Sequence, residues 1–255
     1  MTGQYASYPS LSNKSVLVTG GASGIGADIV RGFARQGAKV AFIDIDAAAG
    51  AALCAELSGA AHRPLFVAAD LLEVAAFPEL VARIGAAHGA PDVLVNNAAN
   101  DQRHEVLEAS EADWDWSLAI NLKHVFFMAQ AVIPGMQAKK AGAIVNMSSI
   151  TALNGSPALP DYSAAKGAII TLTRTLARKY GPDGIRCNAV APGAVVTPRQ
   201  ARLWVPPEKQ QEFIARQPLH EPVTEANIAD AVVFLASDQA RMITKQVLVV
   251  DGGLR

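Results

Sequence analysis

Two cysteines in 255 residues, Cys54 and Cys187, are too few for a disulfide framework, and neither falls in a metal spacing such as Cys-x-x-Cys. Both read as core thiols. Charge is also scarce: 18% of residues are Asp, Glu, Lys or Arg, the formal net charge is −1, and no basic run occurs. That balance argues against nucleic acid or an anionic membrane as partner and leaves a small molecule. No apolar segment approaches the ~18–20 residues needed to span a bilayer, and the N-terminus lacks the charged and apolar regions of a signal peptide. A soluble, cytoplasmic protein is expected. The five histidines, His62, His88, His104, His124 and His220, share no metal spacing, and no acid–histidine pattern suggests a hydrolase. They read as surface or packing residues. His104 differs, because it lies in the polar run Asn100-Asp101-Gln102-Arg103-His104 directly after a predicted strand; it reads equally as a ligand-site residue or as part of a solvated loop.

What the chain does have is apolar content, 51% of residues, enough to bury one large core. A single domain over residues 1–255 is expected. Residues 1–13 are polar and aperiodic and read as a loose N-terminal arm, with order beginning near Val16. Strand-length apolar runs follow at Ser15–Thr19, Lys39–Asp44, Pro64–Ala69, Asp92–Asn96, Ala143–Met147, Ile185–Val190 and Gln246–Val250. Helical patterns separate them at Gly24–Gln36, Ala47–Leu57, Val74–His88, Glu111–Ala138, Asp161–Tyr180 and Glu225–Ala236. Near-continuous apolar strands alternating with helices predict an α/β fold of the Rossmann type: a doubly wound, seven-stranded parallel sheet covered on both faces. Residues 198–218 interrupt the alternation and read as a lid insertion.

Three groups of residues carry chemistry. The turn Thr19-Gly20-Gly21-Ala22-Ser23-Gly24-Ile25-Gly26 joins the first strand directly to a helix, where glycines admit a pyrophosphate and the helix start offers free N–H groups. The second strand ends at Asp44, where a carboxylate would bind the ribose hydroxyls of NAD and repel the 2′-phosphate of NADP; its neighbours are Ile43 and Ile45, not Arg or Lys. Asp46 could share that task or cap the next helix. Finally, Tyr162 and Lys166 are four residues apart at a helix start and so share one face, with Ser149 on a strand end upstream. An ammonium ~4 Å from a forming phenolate, at an effective dielectric of ~20, is worth about 4 kcal/mol, or roughly three pKa units, which would bring a tyrosine toward use as a general base.

With these motifs the sequence resembles the short-chain dehydrogenase/reductase family from Lys14 to Gly253. The glycine turn matches the family's cofactor motif and Asp70-Leu71 its adenine-contacting pair. Asn96-Asn97-Ala98-Ala99 matches the segment after the fourth strand, Pro192-Gly193-Ala194-Val195-Val196-Thr197 the nicotinamide loop, and Asp251-Gly252-Gly253 the common ending. The resemblance implies a catalytic set of Asn121, Ser149, Tyr162 and Lys166. Tyr162 would be the general base in oxidation, Lys166 would lower its pKa and bind the nicotinamide ribose, Ser149 would steady the substrate oxygen, and Asn121 would hold a relay water. It further implies cofactor contacts at Gly20, Ser23, Gly24, Ile25, Gly26, Asp44, Ile45, Asp70, Leu71, Asn97, Ala98, Ala99, Tyr162, Lys166, Pro192, Gly193, Val195 and Thr197. Taken on its own residues, Asn121 reads equally as a buried amide satisfying a helix kink. Two positions depart from the family pattern: Ala99 and Lys245 stand where glycine is usual.

Within the family the chain is similar to bacterial aldose 1-dehydrogenases of the D-xylose and L-arabinose type. The matching features are Tyr8-Pro9-Ser10-Leu11, Phe33–Ala38, Asn100-Asp101 with Arg103-His104, and Trp204 followed by Pro207-Glu208. This implies oxidation of a pentose or hexose at C1 to its lactone, with Asn100, Asp101, Asn154 and Trp204 joining Ser149 and Tyr162 around the sugar. Alternatives are a polyol or secondary-alcohol dehydrogenase, a 3-oxoacyl reductase, and a non-catalytic NAD sensor. The resemblance also implies a homotetramer in which the helices Glu111–Ala138 and Asp161–Tyr180 pair between subunits.

Overall fold

The computed structural model describes residues 5–255. Seven strands form one sheet: β1 (Ser15–Thr19), β2 (Lys39–Asp44), β3 (Leu65–Ala68), β4 (Val93–Asn96), β5 (Gly142–Met147), β6 (Ile185–Pro192) and β7 (Val247–Val250). All neighbours pair in parallel, in the order β3-β2-β1-β4-β5-β6-β7. The expected Rossmann-type sheet is thus the one observed. Successive side chains point to opposite faces of a strand. Accordingly Val16 and Val18, Val40 and Phe42, Val93 and Val95 enter one core layer, while Leu17, Ala41, Ile43 and Leu94 enter the other. Chain order reverses between β1 and β4, and a ligand in such a sheet sits beyond the carboxyl ends at that reversal.

On one face lie α1 (Gly24–Arg35) and the last long helix, α10 (Glu225–Ala236). Between them in sequence run α2 (Ala47–Glu56), α3 (Phe77–His88), α4 (Glu111–Leu118), α5 (His124–Lys139), the single-turn α6 (Thr151–Asn154), α7 (Pro160–Tyr180), α8 (Pro198–Leu203) and α9 (Pro207–Arg216). Asp46 caps α2, its side chain accepting from the Ala49 N–H, and so takes the second of its two predicted roles.

Three expectations are corrected. The arm is not loose: Pro9–Leu11 form a helical turn, Leu11 is buried, and the Gln36 side chain accepts from Tyr8 N–H at 2.7 Å while donating to the Ala6 carbonyl at 2.9 Å. Residues 1–4 of the predicted arm lie outside the described residues. The predicted helix over 111–138 is not regular, because Ala119–Lys123 form a π turn between α4 and α5. The continuous 29-residue stretch Glu111–Lys139 is also long and apolar enough to cross a membrane by length and composition, contrary to the expectation that no segment comes close. In this fold 44% of that apolar window is buried, with Val125, Met128, Val132 and Met136 packed into the core. Within the insertion over residues 198–218 lie two short helices, α8 and α9.

Both departures from the family pattern are resolved locally. Lys245 adopts φ 68°, the left-handed conformation glycine favours, and is held there by its N–H to the Cys187 carbonyl at 2.7 Å. Ala99 is absent from the positive-φ residues, so its methyl group meets no backbone strain.

Candidate active site

The glycine turn is built for close approach. Gly20 has φ 64°, and a Cβ there would lie 2.7 Å from the Ala98 Cα; a Cβ on Gly26 would lie 1.8 Å from the Gly20 carbonyl oxygen. Side chains at these positions would push β1, α1 and the segment after β4 apart. Ser23 precedes α1 in extended conformation and makes no side-chain cap, leaving its hydroxyl and the N–H groups of Gly24, Ile25 and Gly26 available to an anion at the helix start. The Thr197 methyl comes within 3.4 Å of where a Gly24 Cβ would stand, so the loop after β6 closes over the turn. Gly193 fits there because a Cβ would meet that of Asp251 at 2.6 Å, and Pro192 ends β6 beside it.

Asp44 stands at the end of β2 and accepts from Ala22 N–H at 2.9 Å with one oxygen and from Asp46 N–H at 3.1 Å with the other. The carboxylate is therefore fixed against the glycine turn, with lone pairs left over for hydroxyl donors. Ile45 beside it is largely exposed, and Leu71 is buried below Asp70, whose carboxylate bonds Leu72 N–H. Val195 is buried in the wall after β6. The Asn97 amide donates to the Thr19 and Gly20 carbonyls at 3.1 and 2.8 Å and locks the turn. The Thr19 hydroxyl receives the N–H groups of Asn97 and Ala98, which ties β1 to β4. These residues fit a dinucleotide: glycines where side chains would clash, free amides at a helix start, and a fixed acid at the second strand end.

The catalytic candidates meet at the ends of β5 and α7. Ser149 follows β5, and its hydroxyl accepts from Thr151 N–H and hydroxyl at 3.1 and 3.0 Å. Burial, together with the nearby Asp101 carboxylate, holds the Tyr162 phenol above its usual range against a smaller downward pull from the Ser149 hydroxyl. Lys166 is buried, its Nζ donates to the Met147 carbonyl at 2.9 Å, and it lies 5.4 Å from the Tyr162 ring centre. Burial alone lowers Lys166 to about 7. The expected depression of the tyrosine by its lysine is thus not the balance found in the protein by itself, because desolvation dominates at each group. Ser148, next to Ser149, donates to the Lys166 carbonyl at 2.9 Å and pins α7 to β5.

Asn121 is fully buried in the π turn. Its amide donates to the Asn100 carbonyl and its oxygen accepts Asn100 N–H, both at 2.9 Å. The extra residue of a π turn re-aims a side chain that a regular helix would direct elsewhere. Behind it His124 is completely buried and donates through Nε2 to the Ala98 carbonyl at 3.1 Å. Desolvation, with help from the Lys166 charge, lowers it to about 3, so it is neutral. No sequence signal marked it as anything but a packing residue.

The predicted substrate residues divide. Asn100 and Asp101 do lie beside the site, but their side chains are engaged by α8: Arg199 bonds both, and Gln200 donates to Asp101. The Arg103 guanidinium sits 4.8 Å over the Trp204 ring, so the loop after β4 and the end of α8 close on each other. Asn154 lies exposed at the end of α6. His104 is not a solvated loop residue, since its side chain is largely buried and its Nδ1 is 2.8 Å from Asp161, the residue before Tyr162. Arg199 and Gln200 were missed because a polar residue on a short insertion helix has no sequence pattern pointing to a partner some hundred positions away.

A family model described as enoyl-(acyl carrier protein) reductase matches residues 20–255. A Rhizobium meliloti protein named as a probable galactose dehydrogenase is 46% identical over 100% of both chains. The D-xylose 1-dehydrogenase of Caulobacter vibrioides is 44% identical over 98% of this chain and 99% of its own. The solved structure of a 3-oxoacyl-[acyl-carrier protein] reductase from Brucella melitensis superposes with a TM-score of 0.90 at 34% identity, covering 100% of this chain and 98% of that one. With the family model spanning nearly the whole chain and these relatives aligned end to end, the chain belongs to the short-chain dehydrogenase/reductase family of oxidoreductases.

Proposed function

We propose that the chain is an NAD-dependent aldose 1-dehydrogenase that oxidises a pentose or hexose at C1 to its lactone. The observation that carries the reading is the meeting of Ser149, Tyr162 and Lys166 beside a glycine turn whose ribose-side acid is Asp44. The full-length likeness to proteins named for xylose and galactose dehydrogenation supports the sugar. Asp44 supports NAD over NADP, since no Arg or Lys flanks it to receive a 2′-phosphate.

The bound dinucleotide supplies the two-electron acceptor for the hydrogen at C1. Tyr162 takes the proton of the anomeric hydroxyl, whose oxygen becomes the lactone carbonyl. Ser149 donates to that oxygen as its charge changes, and the buried Lys166 charge favours the phenolate. Sugar ring oxygen stabilises the electron-poor C1, and lactone, reduced cofactor and a proton balance the reaction. Asn121, through the Asn100 backbone, holds the loop that borders the site. The subunits are proposed to form a homotetramer; the exposed Trp114, Trp116 and Phe126 along Glu111–Lys139 support burial of that helix face by another subunit.

A second reading, 3-oxoacyl reduction, is favoured by the Brucella relative and opposed by Asp44. The test is NADH formation with L-arabinose, D-xylose, D-galactose, L-fucose and L-rhamnose, set against sorbitol, galactitol and an acetoacetyl thioester with NADPH. Turnover of one or more aldoses is expected. Activity confined to the polyols or the thioester would overturn the sugar reading.

A further inference from the structure

The loop after β4 brackets the start of α7 at two points. Asn100 is clamped by Asn121, and His104 is clamped by Asp161 immediately before Tyr162. Between those points stands Asp101, a largely buried carboxylate beside the phenol. An unpaired carboxylate there would oppose the task assigned to Tyr162, because forming a phenolate next to it places two negative charges in a poorly solvated site. The chain answers from another element: Arg199, in the first turn of α8, pairs with Asp101 and also bonds the Asn100 side chain, while Gln200 donates to the second Asp101 oxygen.

We propose that Arg199 is a positioning residue for proton transfer, which by pairing with Asp101 weakens the carboxylate field at Tyr162 and makes the docking of α8 a condition for full activity near neutral pH. The inference rests on Tyr162 as the proton-transfer group. Other charged or titratable groups near the phenol are Lys166 on α7, Arg103 and the His104–Asp161 pair with Asp113 behind it, and the neutral His124 behind the site. All are common to the variants below, so differences between profiles isolate the Asp101–Arg199 pair.

The local charge predicts the order. Arg199→Met leaves one uncompensated negative charge, Asp101→Asn one uncompensated positive charge, and the double variant none. The experiment is kcat against pH for oxidation of the best aldose with saturating cofactor. Arg199→Met is expected to raise the pH of half-maximal kcat by on the order of one unit. Its high-pH plateau should stay close to that of the unaltered protein. Asp101→Asn should lower the midpoint, the double variant should return it near the starting value, and Arg199→Lys should leave it nearly unmoved. A merely structural loss would lower kcat at every pH without moving the midpoint, and that result overturns the inference, as does an equal shift from Arg199→Met with and without Asp101→Asn. Should Arg199→Met fail to fold, Asp101→Asn decides alone: an unmoved midpoint overturns the proposal. Tyr162→Phe is run alongside; substantial turnover in it would refute the reading of Tyr162 rather than the role of Arg199.

Discussion

Replacing Asp44 by alanine perturbs cofactor choice and stability by separable amounts. Removing the carboxylate deprives Ala22 N–H and Asp46 N–H of their acceptors, at 2.9 and 3.1 Å. At about 0.5–1.5 kcal/mol per hydrogen bond, partly recovered from water, the cost to folding is about 1–2 kcal/mol, or several degrees in Tm. The cofactor loses charge-assisted bonds from the adenosine ribose hydroxyls, each worth about 1.5–3 kcal/mol. A net loss of about 2–3 kcal/mol corresponds to a roughly 30- to 150-fold fall in kcat/KM for NAD. NADP should improve at the same time, because the repulsion of its 2′-phosphate is gone. Asp44→Asn separates the two effects: the amide oxygen still accepts an N–H, so Tm should recover, but without the negative charge the NAD preference should not. The assay is kcat/KM for both cofactors with one aldose, together with thermal melting. Equal efficiency with NAD and NADP in the unaltered protein, or an unchanged preference in Asp44→Ala, would refute the assignment.

Tyr162→Phe should abolish turnover while leaving NADH affinity, read by fluorescence titration, nearly unchanged, since the ring stays and only the exchangeable proton goes. Lys166→Ala should weaken both turnover and binding; intact turnover in either variant would count against the catalytic assignment. His124 has a folded-state pKa of about 3 against an ordinary 6.5, so between those values the unfolded chain takes up a proton that the folded chain refuses. Its contribution is complete above pH 6.5 and falls on acidification, by about 1.4 kcal/mol per unit. His124→Gln, which can still donate toward Ala98 but does not titrate, should therefore show a flatter decline of urea-unfolding stability from pH 6 to pH 4, and parallel curves would contradict a neutral buried histidine. Light scattering at micromolar concentration should give a tetramer mass; a monomer would remove the proposed helix pairing.

The sheet was legible because a strand buried on both faces must be apolar throughout, and β1 and β2 match their predicted bounds residue for residue. Helix starts were legible where capping chemistry announces them, as at Asp46. The π turn was not, since inserting one residue into a helix leaves the apolar pattern around Ala119–Lys123 looking continuous. Nor was the docked arm: its anchors, among them the buried Leu11 and the Gln36 side chain, carry no periodicity. In the site, the motifs located Ser149, Tyr162 and Lys166, because spacing along a helix and a strand end fixes their meeting. The direction of the Tyr162 pKa was misjudged from sequence, because burial and the Asp101 charge depend on packing between distant segments. The engagement of Asn100 and Asp101 by α8 belongs to the same class.

The central claim, hydride transfer from C1 of an aldose, is tested most directly with a sugar deuterated only at C1. For D-galactose or D-xylose so labelled, whichever is turned over, the account predicts that the deuterium appears in the reduced cofactor, that the lactone carries none, and that Tyr162→Phe stops the transfer. Deuterium retained in an oxidised sugar, with unlabelled hydrogen on the reduced cofactor, would contradict it.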